Sequence, residues 1–286
     1  MDPHLSLTTI ANDEGTDKGT IGPTEAWPGH HYTDVYSAYL EAWREAPVTL
    51  LEIGLGVDGP AWPAAIATGR NARGGASARM WYRYLRRARI LGVDVNPAGF
   101  LDNDRICTGV ADQGDPEQLR RFLDAAGVSR IDFVVDDGSH RPDHQQISLS
   151  TLFPYLSPGG IYFIEDLLDN GFGDPQSGPA PPAAVSTRRL LAEFSRGGRF
   201  PEPHALVGDG WAADVASITF HCPPVEAAPA SRSRRVAWRG RGEPDRDTAA
   251  AAPIRFALGS ERLCAIRKTG RFEPGHSAPD GRRPRG

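Results

Sequence analysis

Cysteine is scarce in this chain: three residues in 286, at Cys107, Cys222 and Cys264, with no two close together. That spacing excludes a disulfide framework and a thiolate metal site, which need paired cysteines. Each lies in an apolar, strand-like run, so the expectation is three buried free thiols in a reducing compartment. Long apolar runs are also missing. None approaches the ~18 residues of a membrane span. The first residues, MDPHLSLTTIANDEGTDKG, lack a basic stretch followed by an apolar one, so they do not read as a secretory signal. A strong charge imbalance is absent as well. The formal net charge is −4, and the basic cluster near Arg232–Arg241 is local, so neither nucleic acid nor a membrane is expected as a partner. The expectation is a soluble cytoplasmic protein.

What is present is a regular alternation. Short apolar runs occur at 48–56, 89–95, 105–110, 130–137, 159–166, 216–222 and 262–268. Most are apolar on both faces, as parallel strands covered by helices are. Helical patterns lie between them at 77–87, 115–126, 144–156 and 186–196, the second opened by Asp115-Pro116. This predicts a doubly wound α/β fold with an antiparallel pair at one edge. Residues 1–47 precede the domain at 48–269. Stretches rich in Gly, Pro or Ala at 57–76, 169–185 and 223–253 read as loop insertions, and 270–286 as a disordered tail.

In such a sheet, ligands bind where strands end. The first strand ends in LLEIGLGVDG, which contains G-x-G-x-x-G at Gly54, Gly56 and Gly59. A dinucleotide site would need a helix to open there at once; Pro60 and Pro63 follow instead. Asp94 also comes 40 positions after Gly54, where that fingerprint wants about 20. A better fit is Glu52-x-Gly54-x-Gly56, then Asp94 ending strand two and Asp112 after strand three. This pattern resembles the S-adenosylmethionine pocket of class I methyltransferases. Glycines admit close backbone approach, Asp94 can accept two ribose hydroxyls, and Asp112 can reach the adenine amino group.

Strand four ends in Asp136-Asp137 and strand five in Glu165-Asp166. If these strands are neighbours, four carboxylates crowd one edge and repel. A divalent cation would resolve this, and hard oxygen ligands without cysteine suit Mg²⁺. Alternation sends Asp136 and Asp137 to opposite faces, so only one of them is expected at the centre. His140, three residues beyond Asp137, is placed to act as a base. His144 fits the first turn of the next helix.

With these residues in view, the chain resembles the magnesium-dependent sugar O-methyltransferases of macrolide and related antibiotic biosynthesis, the macrocin and mycinamicin O-methyltransferase group. The likeness runs from about Gly15 to Asp166. It rests on GTDK (15–18), HHYTDVY (30–36), LEIGLG (51–56), GGASARMW (74–81), LGVDVNP (91–97), DDGSH (136–140) and IEDL (164–167). It implies a Rossmann-like class I methyltransferase fold with a mostly parallel seven-stranded sheet and helices on both faces. It implies Asp137, Glu165 and Asp166 as metal ligands and His140 as general base. Glu52, Gly54, Gly56, Ser77, Asp94, Asp112 and again Asp137 would bind cofactor. Asp17, Lys18, His31 and Tyr32 would help close the site as a lid. The implied reaction moves a methyl group from S-adenosylmethionine to a sugar hydroxyl of a glycosylated natural product, with Mg²⁺, in a chain able to self-associate. A catechol-type O-methyltransferase and a hydroxylase or other oxidoreductase on a related fold stay open as alternatives.

Overall fold

The computed structural model describes residues 5–22, 29–61, 72–167, 185–222 and 262–272. Residues 273–286 of the expected tail, all of the 223–253 insertion, 169–184 of the 169–185 insertion and 62–71 of the 57–76 insertion lie outside these residues.

Seven strands form one sheet: β1 (Thr49–Ile53), β2 (Arg89–Asp94), β3 (Ile106–Val110), β4 (Ile131–Asp136), β5 (Leu156–Ile164), β6 (Val215–His221) and β7 (Leu263–Lys268). Their order is β3-β2-β1-β4-β5-β7-β6. The first five are parallel, and β7 runs antiparallel to both β5 and β6. Both expectations for the sheet hold, the apolar parallel centre and the antiparallel edge.

Alternation along the strands splits the core in two. Leu50, Ile90, Phe133, Val135, Ile161 and Phe163 face one way, against α1 (Leu7–Glu14), α2 (Tyr32–Leu40) and α3 (Ala76–Tyr84). Leu51, Ile53, Leu91, Val134, Tyr162 and Ile164 face the other, against α4 (Pro116–Ala125), α5 (Pro142–Leu152) and α6 (Thr187–Gly197). Each fully buried side chain of this kind contributes roughly 1.5–3 kcal/mol. The described residues of the N-terminal stretch are therefore a packed layer: Leu7, Ile10, Tyr32, Tyr36 and Leu40 are all buried.

Local chemistry explains the helix ends. The Asp115 carboxylate accepts from the amides of Glu117 and Gln118 at 2.9 and 3.1 Å, and Pro116 supplies the first turn of α4. The helix expected at 144–156 runs instead from Pro142 to Leu152, because β5 already begins at Leu156. Helices α1 and α2 were not expected. The cysteines are free, but only Cys264 is buried. Cys107 is half-buried because β3 lies at the end of the sheet, and Cys222 is exposed just beyond β6.

Candidate active site

β1, β4 and β5 are adjacent and in register, Ile53 beside Asp136 and Asp136 beside Ile164. The two acidic pairs therefore emerge at the same level. The Asp137 amide donates to the Ile53 carbonyl at 3.0 Å, and the Glu165 amide to the Asp136 carbonyl at 2.9 Å.

Asp136 points to the α5 face and is fully buried. It accepts from Gln113 Nε2 and Ser148 Oγ, each at 2.6 Å, and from the Tyr162 hydroxyl at 2.9 Å. Burial pushes its carboxyl up to about 6, against the pull of these donors. These three donors hold it on the α5 side of the sheet. His144 lies in the first turn of α5, its Nδ1 2.9 Å from Ser139 Oγ.

On the open side, Asp137, His140 and Asp166 bring one ligand atom each within 4.8 Å of one another. Their side chains are 16–21% exposed. His140 Nε2 lies 3.7 Å from Asp166 Oδ2, and its buried Nδ1 has no hydrogen-bond partner. Only three described non-glycine residues have positive φ: His31 (58°), His140 (56°) and Asp166 (48°). That backbone conformation costs of order 1–3 kcal/mol, and such residues cluster at functional sites. Burial pushes the Asp166 carboxyl up, but the imidazoles of His140 and His30 and the Tyr32 hydroxyl, which donates at 2.6 Å, hold it below its ordinary value.

Glu165 is not in that trio; it turns toward the α2 face. The ammonium of Lys18 lies 2.9 and 2.8 Å from its two oxygens, also donates to Asp137 Oδ2, and sits 3.7 Å from Glu52 Oε1. Lys18 is 1% exposed. Burial opposes its charge, yet the three carboxylates hold its pKa well above the ordinary value. The Tyr36 hydroxyl donates to Glu165 Oε1. Sequence reasoning gave Lys18 as a lid residue rather than a buried partner of the acids, and missed Tyr36. The available signal was the tyrosine pair at i,i+4, which shares one helix face.

The other expected cofactor residues line the ends of β1 to β3. Gly54 and Gly56 have φ of +82° and +59°. At Gly54 a Cβ would fall 2.1 Å from the Asp137 carbonyl oxygen, so this glycine seats the β1 loop against the β4 loop. Asp94 accepts from the amides of Leu55 and Asn96, each at 2.9 Å, which ties the glycine loop to β2. Asp112 is exposed after β3, accepting from the Gly114 amide at 2.8 Å. Glu52 is fully buried, neither oxygen accepts a hydrogen bond, and burial pushes its carboxyl to about 7. Ser77 and Trp81 approach it from α3.

No protein-family model matches the chain. Over 162 residues it is 43% identical to 8-demethyl-8-alpha-L-rhamnosyl tetracenomycin-C 2'-O-methyltransferase of Streptomyces olivaceus, covering 56% of this chain and 37% of that one. It is 34% identical over 178 residues to demethylmacrocin O-methyltransferase of Streptomyces fradiae, covering 60% and 42%. Identity to mycinamicin VI 2''-O-methyltransferase of Micromonospora griseorubida is 38% over 154 residues, covering 51% and 35%. The matches thus span well under half of these relatives. Among solved structures, a methyltransferase of the mycinamycin biosynthetic pathway in complex with Mg, SAH and mycinamycin VI superposes with a TM-score of 0.59 at 22% identity. That likeness covers 96% of this chain and 57% of the other. The fold is the Rossmann-like class I methyltransferase fold.

Proposed function

We propose that the chain transfers a methyl group from S-adenosylmethionine to a sugar hydroxyl of a glycosylated natural product, with Mg²⁺. The observation that carries this is the convergence of Asp137, His140 and Asp166 at the strand ends, beside the glycine loop of β1. The names of the relatives supply the acceptor class, a sugar on a polyketide-type scaffold.

The residues fit both groups. Asp137 and Asp166 offer hard oxygens with partial solvent access, as Mg²⁺ requires. Glu165, the third ligand that the resemblance implies, has both oxygens engaged by Lys18 and Oε1 also by Tyr36, so it stands behind the open pair of aspartates. For the nucleoside, Asp94 and Asp112 stand at the ends of β2 and β3, while Glu52 keeps two buried acceptor oxygens free of hydrogen bonds. When bound, Mg²⁺ polarises a hydroxyl oxygen and offsets negative charge building on it.

His140 takes the hydroxyl proton as the sugar oxygen bonds to the methyl carbon and the sulfonium leaves as a thioether. Asp166, 3.7 Å from His140 Nε2, orients the imidazole. Tyr32 fixes Asp166 in turn. The rate comes chiefly from holding the two reactants in line, at about 3–3.5 Å.

Purified protein assayed with S-adenosylmethionine and a deoxysugar macrolide should form one methyl ether, and EDTA should abolish turnover. Preference for a catechol would reassign the acceptor. Full activity in EDTA would remove Mg²⁺ from the scheme.

A further inference from the structure

The acids at the strand ends already have a cation, and it belongs to the chain. Lys18 is buried to 1% exposure, with its ammonium among Glu165, Asp137 and Glu52. Its loop is pinned at several points. The Thr33 amide donates to the Lys18 carbonyl at 3.0 Å, His31 to Gly19 at 2.9 Å and His30 to Asp17 at 2.7 Å. Gly29 packs so closely on this loop that a Cβ there would lie 2.2 Å from the Gly19 carbonyl oxygen. The ammonium is thus delivered by the loop after α1, which these bonds pin to the start of α2.

We propose that Lys18 is a resident counter-ion, a positioning residue that assembles the acidic site before any divalent cation binds. It divides the acids into two sets. Glu52 and Glu165, 0% and 1% exposed, are neutralised from within. Asp166 and the outer oxygen of Asp137, with His140, remain open to a solute cation. Removing one partner from a buried ionic cluster leaves uncompensated charge in a dry site and is strongly destabilising. The same contact fastens the N-terminal layer to the sheet end. This inference goes beyond the methyl-transfer reading and uses its metal assignment only in the last measurement below.

Thermal unfolding of the full chain in EDTA tests it. Lys18→Met should lower Tm by on the order of 5–10 °C. Adding Glu165→Gln to Lys18→Met should recover about half of that loss, because the amide removes the unpaired charge while still accepting from Tyr36. If Lys18→Met is insoluble alone, the double variant should restore soluble protein. A double variant no more stable or soluble than the single one overturns the proposal. Millimolar Mg²⁺ should then raise the Tm of Lys18→Met by more than it raises that of the wild type, since the freed acids attract it. Equal shifts would reduce Lys18 to a packing role and overturn the division. No readout depends on methyl transfer, so a wrong acceptor leaves the test intact.

Discussion

At the amino ends of β1 and β4 a single buried acid, Asp132, accepts from the Thr49 amide at 2.8 Å. At the carboxyl ends of β1, β4 and β5, Glu52, Asp136, Asp137, Glu165 and Asp166 crowd together. The strands are the same, but the company differs. Asp132 has a backbone partner within reach and fits into the sheet. The far end needs neutral donors for Asp136, an ammonium for Glu165, and left-handed backbone at His140 and Asp166. A lone buried carboxylate that finds an amide is architecture; a crowd held with strain and a buried cation points to chemistry.

Mutations should separate the two ends. Asp166→Ala should cost the most, on the order of 10³-fold or more in turnover, with S-adenosylmethionine affinity by calorimetry little changed. His140→Ala should lower kcat by ~10²–10⁴; a few-fold loss would make it a positioning group. At the other end, Asp132→Ala should leave kcat unchanged yet cost about 1–3 kcal/mol in urea unfolding, because the Thr49 amide loses its acceptor. If Asp132→Ala impaired turnover as severely as Asp166→Ala, the contrast would collapse.

The smallest effect is in pH dependence. Burial raises the Asp132 carboxyl above its ordinary value. Its stabilising contribution is therefore complete below the unfolded pKa near 4 and is lost as pH rises through the folded value. Asp132→Asn, which can still accept from Thr49, should not show that loss. Unfolding free energies of the two proteins should converge or cross as pH rises; parallel curves would contradict the shift.

Much of this was legible beforehand. Strands apolar on both faces announced a covered parallel sheet, and Asp136-Asp137 with Glu165-Asp166 announced the acidic edge. The solution to their repulsion was not. A charge excess demands a counter-ion without naming it, and the sequence reading supplied Mg²⁺ alone. Lys18 lies in a polar stretch, GTDKGT, where a lysine normally reads as solvated, and only tertiary packing carries it inward. Helices α1 and α2 escaped for a related reason: α1 buries only Leu7, Ile10 and Ala11, and Tyr32, Thr33 and Tyr36 fill most of the buried face of α2.

The place of β7 has a consequence for how the molecule is made. It slots between β5 and β6, pairing Ile164 with Cys264, residues about a hundred positions apart. Contacts so distant in sequence close slowly, because chain entropy is lost before they repay it. During synthesis β5 must wait with one edge bare until β7 emerges from the ribosome. A growing chain of this kind is most prone to aggregate in that interval.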